Sequence, residues 1–411
     1  MTATSMDALD GLLVSKDFME DPYPVLRRLR QEDPVHWSDS IGAWILTRYD
    51  DIVTTFRDPS HFSNEGRLAK AVEYLPAESR ANFKAFEDHF RLKSLIHSDP
   101  PDHTRLRALI TKAFTPRVVE AMRPRIQQIT DQLLDAVQPH GRMDILRDLA
   151  IPLPVTVLAE IFGVPKSDLN LFKGWADDLL AFQGVNKPAI EILERSQKAL
   201  VEIRAYLGDL IEQRRREPHK DLLSELVAAE SEGGKLSPTE LVNSCITLLV
   251  AGHETTTSLI GNGLYTLLRN LDQWQLLERD PSLLTSAIEE MLRYESPVAR
   301  QPRLLKRDAE MGGKQLRQGE MAFQMLNAAN RDPDYFADPG RFDICRRKNP
   351  HLAFGLGVHF CVGATLARTE GQIAFSTVMA RLPGIRLVDE KPHWDLEKPN
   401  SRMLKTLRVL F

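Results

Sequence analysis

Cysteine is scarce in this chain. Cys245, Cys345 and Cys361 are the only ones among 411 residues, too scattered for a disulfide framework and without the paired spacing of a zinc site. A reducing compartment is expected. The opening residues Met1-Thr2-Ala3-Thr4-Ser5-Met6-Asp7 carry neither a basic segment nor an apolar run, which predicts a soluble cytoplasmic protein with no membrane anchor. Gly/Ser-rich and Pro-rich linkers, internal repeats and low-complexity tracts are also missing. Residues 1–411 are therefore expected to form one domain, although the length alone would suggest two or three. A formal net charge of −4 gives no reason to expect a nucleic-acid partner, and a hydrophobic share of 43% is ample for a large core.

What is present is mostly helical pattern. Asp21-Pro22 opens a helix with a cap and a proline at its first position, its apolar face being Val25, Leu26 and Leu29. Residues 35–37 and 43–46 read as a hairpin around Ile41-Gly42, and a helix follows from Asp50 through Phe56. Between Ser60 and His97 neither the helical nor the strand period holds, as in functional loops. In Asp99-Pro100-Pro101-Asp102-His103-Thr104-Arg105-Leu106-Arg107 the prolines end that loop and Asp102 can cap the next helix. His103 and Arg107, four apart, then share one helix face. A solvated basic face explains Arg105 and Lys112 better than it explains this donor pair, which suits two carboxylates on a flat ligand. Val119, Met122, Ile126, Ile129 and Leu133 form a core stripe on the helix begun by Pro116. Helical pattern continues over 153–162, 167–182 and 190–216, with a polar break at 183–188. Arg214-Arg215-Arg216 reads as a solvated helix end.

Ser237-Pro238-Thr239-Glu240 combines a Ser cap, Pro at the first position and Glu at the third. The helix it opens reaches about Asn270, roughly 50 Å long. Its apolar centre is interrupted by Ala251-Gly252-His253-Glu254-Thr255-Thr256-Thr257, a local conflict of the kind found at functional sites. Gly252 lets a ligand approach, and the Thr255 hydroxyl can bond back to the carbonyl of Ala251 and bend the helix. A groove with room for a small ligand would result. Residues 281–294 form the next helix, with Glu290 and Arg293 three apart. An alternating stretch over 303–308 follows, with partner strands at 311–316 and 321–326 and a Gly312-Gly313 turn. Phe354-Gly355-Leu356-Gly357-Val358-His359-Phe360-Cys361-Val362-Gly363 then packs three glycines, a histidine and a cysteine into ten residues. An iron-binding thiolate needs its sulfur on a tight turn with backbone N–H groups aimed at it, and a helix N-terminus beyond it favours the ionised form. The alternative is a structural cysteine beside a Gly-rich turn.

Phe354, Gly355, Gly357, His359, Cys361 and Gly363 match the cysteine-loop signature of the cytochrome P-450 family, the haem-thiolate monooxygenases, and the chain resembles its soluble bacterial type. The resemblance implies a mainly α fold with a small β-rich part, in which a long central helix lies over the haem and the cysteine loop lies on its opposite face. It implies haem b with Cys361 as the iron ligand, whose thiolate pushes electron density toward O–O cleavage. His103, Arg107, Arg303 and His359 would hold the haem propionates, with Ala251, Phe354, Gly355 and Gly363 also at the cofactor. Glu254-Thr255 matches the acid–alcohol pair: Thr255 would hold and protonate oxygen at the iron, and Glu254 would relay protons from solvent. Glu290, Arg293 and Arg341 match a folding trio, with Gly340 where the family commonly has Glu. The 60–97 segment and the helices joined at 183–188 would cover the substrate pocket.

The activity implied is insertion of one atom of O2 into a small organic substrate, by hydroxylation or epoxidation. Without a flavin fingerprint or an iron–sulfur cysteine set, electrons are expected from an external ferredoxin and reductase. Arg346-Arg347-Lys348, Lys112 and Arg117 are candidates for the docking surface, and a monomer is expected. An H2O2-driven peroxygenase would not need Glu254-Thr255, and a haem-thiolate sensor would want a signalling module. The stretches that build the pocket, including 298–301 and the tail over 394–403, leave steroids, terpenoids, fatty acids, macrolides and aromatic compounds open as substrates.

Overall fold

The computed structural model describes residues 6–183, 185, 187–231 and 236–411. Its axis is the helix Pro238–Arg269, opened by the expected capping box: the Glu240 N–H donates to Ser237 Oγ at 3.2 Å, and the Ser237 N–H to Glu240 Oε2 at 2.9 Å. A helix that is apolar nearly all round must be covered on every side. Pro152–Phe162, Leu169–Leu180, Ile190–Arg216, Leu284–Tyr294 and Ala364–Arg381 cover this one. Gly263 lets them close in, because a Cβ there would lie 2.6 Å from the Phe375 ring and 2.7 Å from the Met291 sulfur. Among the described residues no helix is long and apolar enough to cross a membrane.

The β-rich part is a five-stranded sheet in the order Val35–Ser38, Ala43–Leu46, Met321–Gln324, Gln301–Leu305, Phe62–Ser63. Arg303 sits opposite Ala322 within it. The hairpin over 35–46 is as expected, but the later strands differ from the reading above. Ala309–Met311 and Lys314–Leu316 pair only with each other, closed by Gly312 and Gly313 at φ 58° and 73°. So tight a two-glycine turn folds the segment back on itself, and residues 301–305 keep the other expected partner, 321–324, and add Phe62–Ser63 on their far side.

Other boundaries moved for local reasons. Two short helices, Met6–Leu12 and Lys16–Glu20, precede the first expected one, and with the turn between them they bury Leu9, Leu13 and Phe18 against Leu26, Leu29 and Ile45. That expected helix begins at Tyr23, with Asp21 accepting from the Tyr23 N–H at 3.3 Å. Asp102 does not cap; it lies in the first turn of Asp102–Ile110 and pairs with Lys93 and Arg105. The irregular 60–97 stretch contains Ala77–Ala81 and Lys84–Arg91, and Phe86 and Phe90 meet Phe182 with ring centroids 4.8 and 5.2 Å apart. Arg214 is not solvated: its guanidinium is buried on Asp221 at 2.7 Å and on the Gly163 carbonyl at 2.8 Å.

The folding trio is also rearranged. Glu290 and Arg293 are fully buried and joined by two bonds of 2.7 Å, and Arg293 donates to the carbonyls of Asn330, Pro339 and Arg341. The second cation on Glu290 is Arg346, at 3.0 and 3.2 Å. Arg341 supplies only its carbonyl, and its side chain is exposed. Glu290→Ala strands two buried guanidiniums and should cost about 3 kcal/mol or more, whereas Arg341→Ala should stay within about 0.5 kcal/mol. Unfolding midpoints of the two variants against the parent check this order.

Candidate functional site

One cavity of about 360 Å³ gathers most of the residues singled out by the sequence. Cys361, Phe354, His359 and Gly363 line it from the Gly-rich loop, and Ala251, Glu254 and Thr255 from the central helix. His103, Arg107 and Arg303 line it as well. Gly355 is not among its lining residues; at φ 70° it shapes the loop, packed near the Phe56 ring.

The loop is held by backbone geometry. The Cys361 N–H donates to the Phe354 carbonyl at 2.9 Å, and Gly357 has φ 70° at a point where a Cβ would come within 2.9 Å of the Phe56 carbonyl oxygen. Gly363 precedes the first turn of Ala364–Arg381. Burial pushes the Cys361 thiol up, while the Gly363 N–H and the guanidiniums of Arg107 and Arg368 favour the thiolate. Arg368 lies over the Phe354 ring at 4.4 Å and grips Glu289 through two bonds of 2.7 Å. The Arg107 Nη1 donates to the Val358 carbonyl at 3.1 Å, tying its helix to the loop.

In the central helix the Thr255 hydroxyl donates to the Ala251 carbonyl at 3.3 Å, as the spacing predicts. Gly252 has a second reason to be glycine: a Cβ would lie 2.7 Å from Leu158 Cδ1, so it also sets a helix crossing. Thr257 turns out of the site and bonds the Ala150 carbonyl at 2.9 Å. Glu254 is buried and taken, by Lys398 Nζ at 2.9 Å and by the Ser401 hydroxyl. Lys398 bridges onward to Asp177 at 3.0 Å. This three-way tie was not foreseen, because Lys398 and Ser401 come from the tail.

The same cavity holds donors without acceptors. Both ring nitrogens of His103, of which the neutral ring protonates one, and Nε2 of His359 and Nε of Arg67 are buried with no hydrogen-bond partner, His359 Nε2 lying 3.9 Å from Asp99 Oδ1. The two imidazoles lie 4.1 Å apart between centroids, their planes inclined at 54°. Burial, with His359 and Arg107 beside it, holds His103 down to about 4, so it is a neutral donor near pH 7. Burial and then Arg67 lower Arg303 to about 9, where it remains charged; its Nη1 donates to the Pro302 carbonyl and its face lies 5.2 Å from the Phe56 ring. The nearby carboxylate, Asp99, is buried yet held well below its usual range by His359, Ser63 and the Asn64 N–H, and it pairs with Lys306 at 3.1 Å. Cations and neutral donors thus outnumber acceptors, which suits a ligand bearing carboxylates.

Solved structures place the architecture. P450BioI, in its complex with hexadec-9Z-enoic acid ligated acyl carrier protein, superposes with a TM-score of 0.88 at 36% identity, over 97% of this chain and 100% of that one. The sequence model of the cytochrome P450 family matches residues 68–383, and the chain belongs to that family. Cytochrome P450 107B1 of Saccharopolyspora erythraea is 42% identical over 93% of each chain. The vitamin D(3) 25-hydroxylase of Pseudonocardia autotrophica is 40% identical over 94% of this chain and 92% of its own. The protein is therefore an oxidoreductase of the P450 class, whose cofactor is haem b on a cysteine thiolate. The donor-rich cavity with its single thiol fits that group.

Glu370 was missed by the sequence reading, which looked for motifs rather than for buried carboxylates. It lines the cavity from Ala364–Arg381, with Oε2 buried and unbonded, and burial raises it to about 8. Its proton is held in the folded state and lost in the unfolded state between about pH 4.5 and 8. Folding stability should therefore fall across that window by about 1.4 kcal/mol per pH unit from this group. Glu370→Gln removes the titration, so the variant should gain on the parent between pH 5 and pH 7.5 in chemical unfolding; a constant difference would contradict the assignment.

Proposed function

We propose that this chain is a haem-thiolate monooxygenase that inserts one atom of O2 into a small organic substrate, by hydroxylation or epoxidation, using electrons from an external ferredoxin and its reductase. The observation that carries this reading is one cavity lined both by the thiol of Cys361 and by the Ala251–Thr256 segment of the central helix. Bound haem would supply the activation of O2 and the electron transfer to it; overall, substrate, O2, two electrons and two protons give oxygenated product and water.

Cys361 would hold the iron, on a sulfur whose ionised form is favoured by the Gly363 N–H and two guanidiniums. Arg107 and Arg303 would pair with the propionates, and His103 and His359 would each donate one ring N–H to them as neutral imidazoles, giving that buried donor an acceptor. Thr255 would present its hydroxyl proton to the cavity by releasing the Ala251 carbonyl. Glu254 would pass protons inward, which requires its carboxylate to exchange Lys398 and Ser401 for water. That acid–alcohol pair argues against a peroxygenase, which would have no use for it.

Lys112, Arg117, Arg347 and Lys348 are exposed and suit an acidic ferredoxin. Arg346, grouped with them by sequence, is committed to Glu290 and is withdrawn from that surface.

The reduced protein under CO should show the thiolate-type Soret band, and a surrogate ferredoxin and reductase should support O2-dependent product formation; imidazole-type spectra would overturn the reading. Thr255→Ala should keep haem and substrate binding while product per NAD(P)H falls about tenfold or more, the missing electrons appearing as peroxide.

A further inference from the structure

Arg67, on the irregular 60–97 segment, lines the cavity yet has no role in the scheme above. Its Nε is buried without a hydrogen-bond partner, and among the described residues no carboxylate forms an ion pair with it. Asp99 is the acid that acts on it most, but Asp99 is already bonded by Ser63 and the Asn64 N–H and paired with Lys306. Burial lowers Arg67 only to about 10, so it stays cationic near neutral pH. A buried cation without a counter-ion is costly, so a ligand that brings an anion to it is favoured.

Haem brings two carboxylates, which Arg107 and Arg303 match in charge. Arg67 is then in excess. Arg300, also on the cavity wall, donates to Asn400 Oδ1 at 3.2 Å and lies over the Phe323 ring at 5.0 Å. Arg67 acts on Arg303 and His359 on one side and on His97 on the other, and beyond His97 the cavity wall turns apolar through Leu68, Phe90, Leu95, Ile96 and Leu179.

We propose that Arg67 is a substrate-anchoring residue that binds the carboxylate of an otherwise apolar organic acid. The proposal rests on the monooxygenase reading and deepens it, naming a substrate class. The same chemistry is present in a haem propionate, and the test separates the two sources.

Holoprotein is titrated with dodecanoate and hexadecanoate and with the corresponding primary alcohols, following the low-spin to high-spin shift, for the parent, Arg67→Gln and Arg67→Lys. The expected result is that Arg67→Gln keeps its full haem content and its reduced-CO band. It should bind the acids about tenfold or more weakly, with alcohol affinity unchanged, and Arg67→Lys should recover part of the loss. Equal weakening for acids and alcohols, or no saturable response of the parent to either acid, overturns the proposal. Loss of haem from Arg67→Gln also overturns it, assigning Arg67 to the cofactor. An absent thiolate band in the parent would instead overturn the monooxygenase reading itself.

Discussion

A thiol that is to meet a metal inside a protein must be fixed before the metal arrives, and that constraint orders much of this structure. The Cys361 N–H is bonded to the Phe354 carbonyl, and the Gly357 turn is pressed on the backbone of Phe56. None of the loop's apolar side chains is fully buried, Val358 and Phe360 being exposed, so its rigidity is borrowed. Glu289 holds Arg368 over Phe354, and the fully buried Glu290 gathers Arg293, Arg346 and Asn349. Both acids lie on Leu284–Tyr294, which packs against the central helix, so the loop is tied through buried charge to the core.

The central helix meets the opposite demand. Nearly everything about Pro238–Arg269 favours rigidity: a capping box, a proline at its first position and apolar packing all round. Around Ala251–Ser258 the hydroxyls of Thr255, Thr256 and Ser258 bond back to carbonyls four residues earlier. Each such bond competes with the helix ladder and lets it open locally. A stiff rod with one softened turn places that turn accurately while leaving its hydrogen bonds exchangeable.

Features encoded locally were legible in the sequence. The capping box, the hairpin over 35–46, the Thr255 back-bond and the glycines of the cysteine loop depend on residues within a few positions of each other. Features that depend on which distant groups meet were not. Arg341 and Arg346 are equally plausible partners for Glu290 in sequence; only the fold turns one outward and buries the other. Lys398 and Ser401 carry no motif, yet they occupy Glu254 from 144 and 147 residues away. Arg67 and Glu370 follow no pattern either: their importance lies in an unmet bond inside a cavity, which is a property of three-dimensional packing.

The tie at Glu254 links three segments of the fold. Lys398 divides its ammonium between Glu254 on the central helix and Asp177 on Leu169–Leu180, and Lys173 also holds Asp177, at 2.6 Å. Burial disfavours the Lys398 charge, and Glu254 and Asp177 more than restore it, so its pKa is raised. Moving Leu169–Leu180 away would take one of the two carboxylates from Lys398 and throw its remaining attraction onto Glu254, strengthening that bond. Freeing Glu254 for water therefore requires displacement of the tail that carries Lys398 and Ser401, and opening the helix alone works against it. Because Asn400 and Ser401 also line the cavity, a substrate pressing on that tail acts directly on the group that would deliver protons.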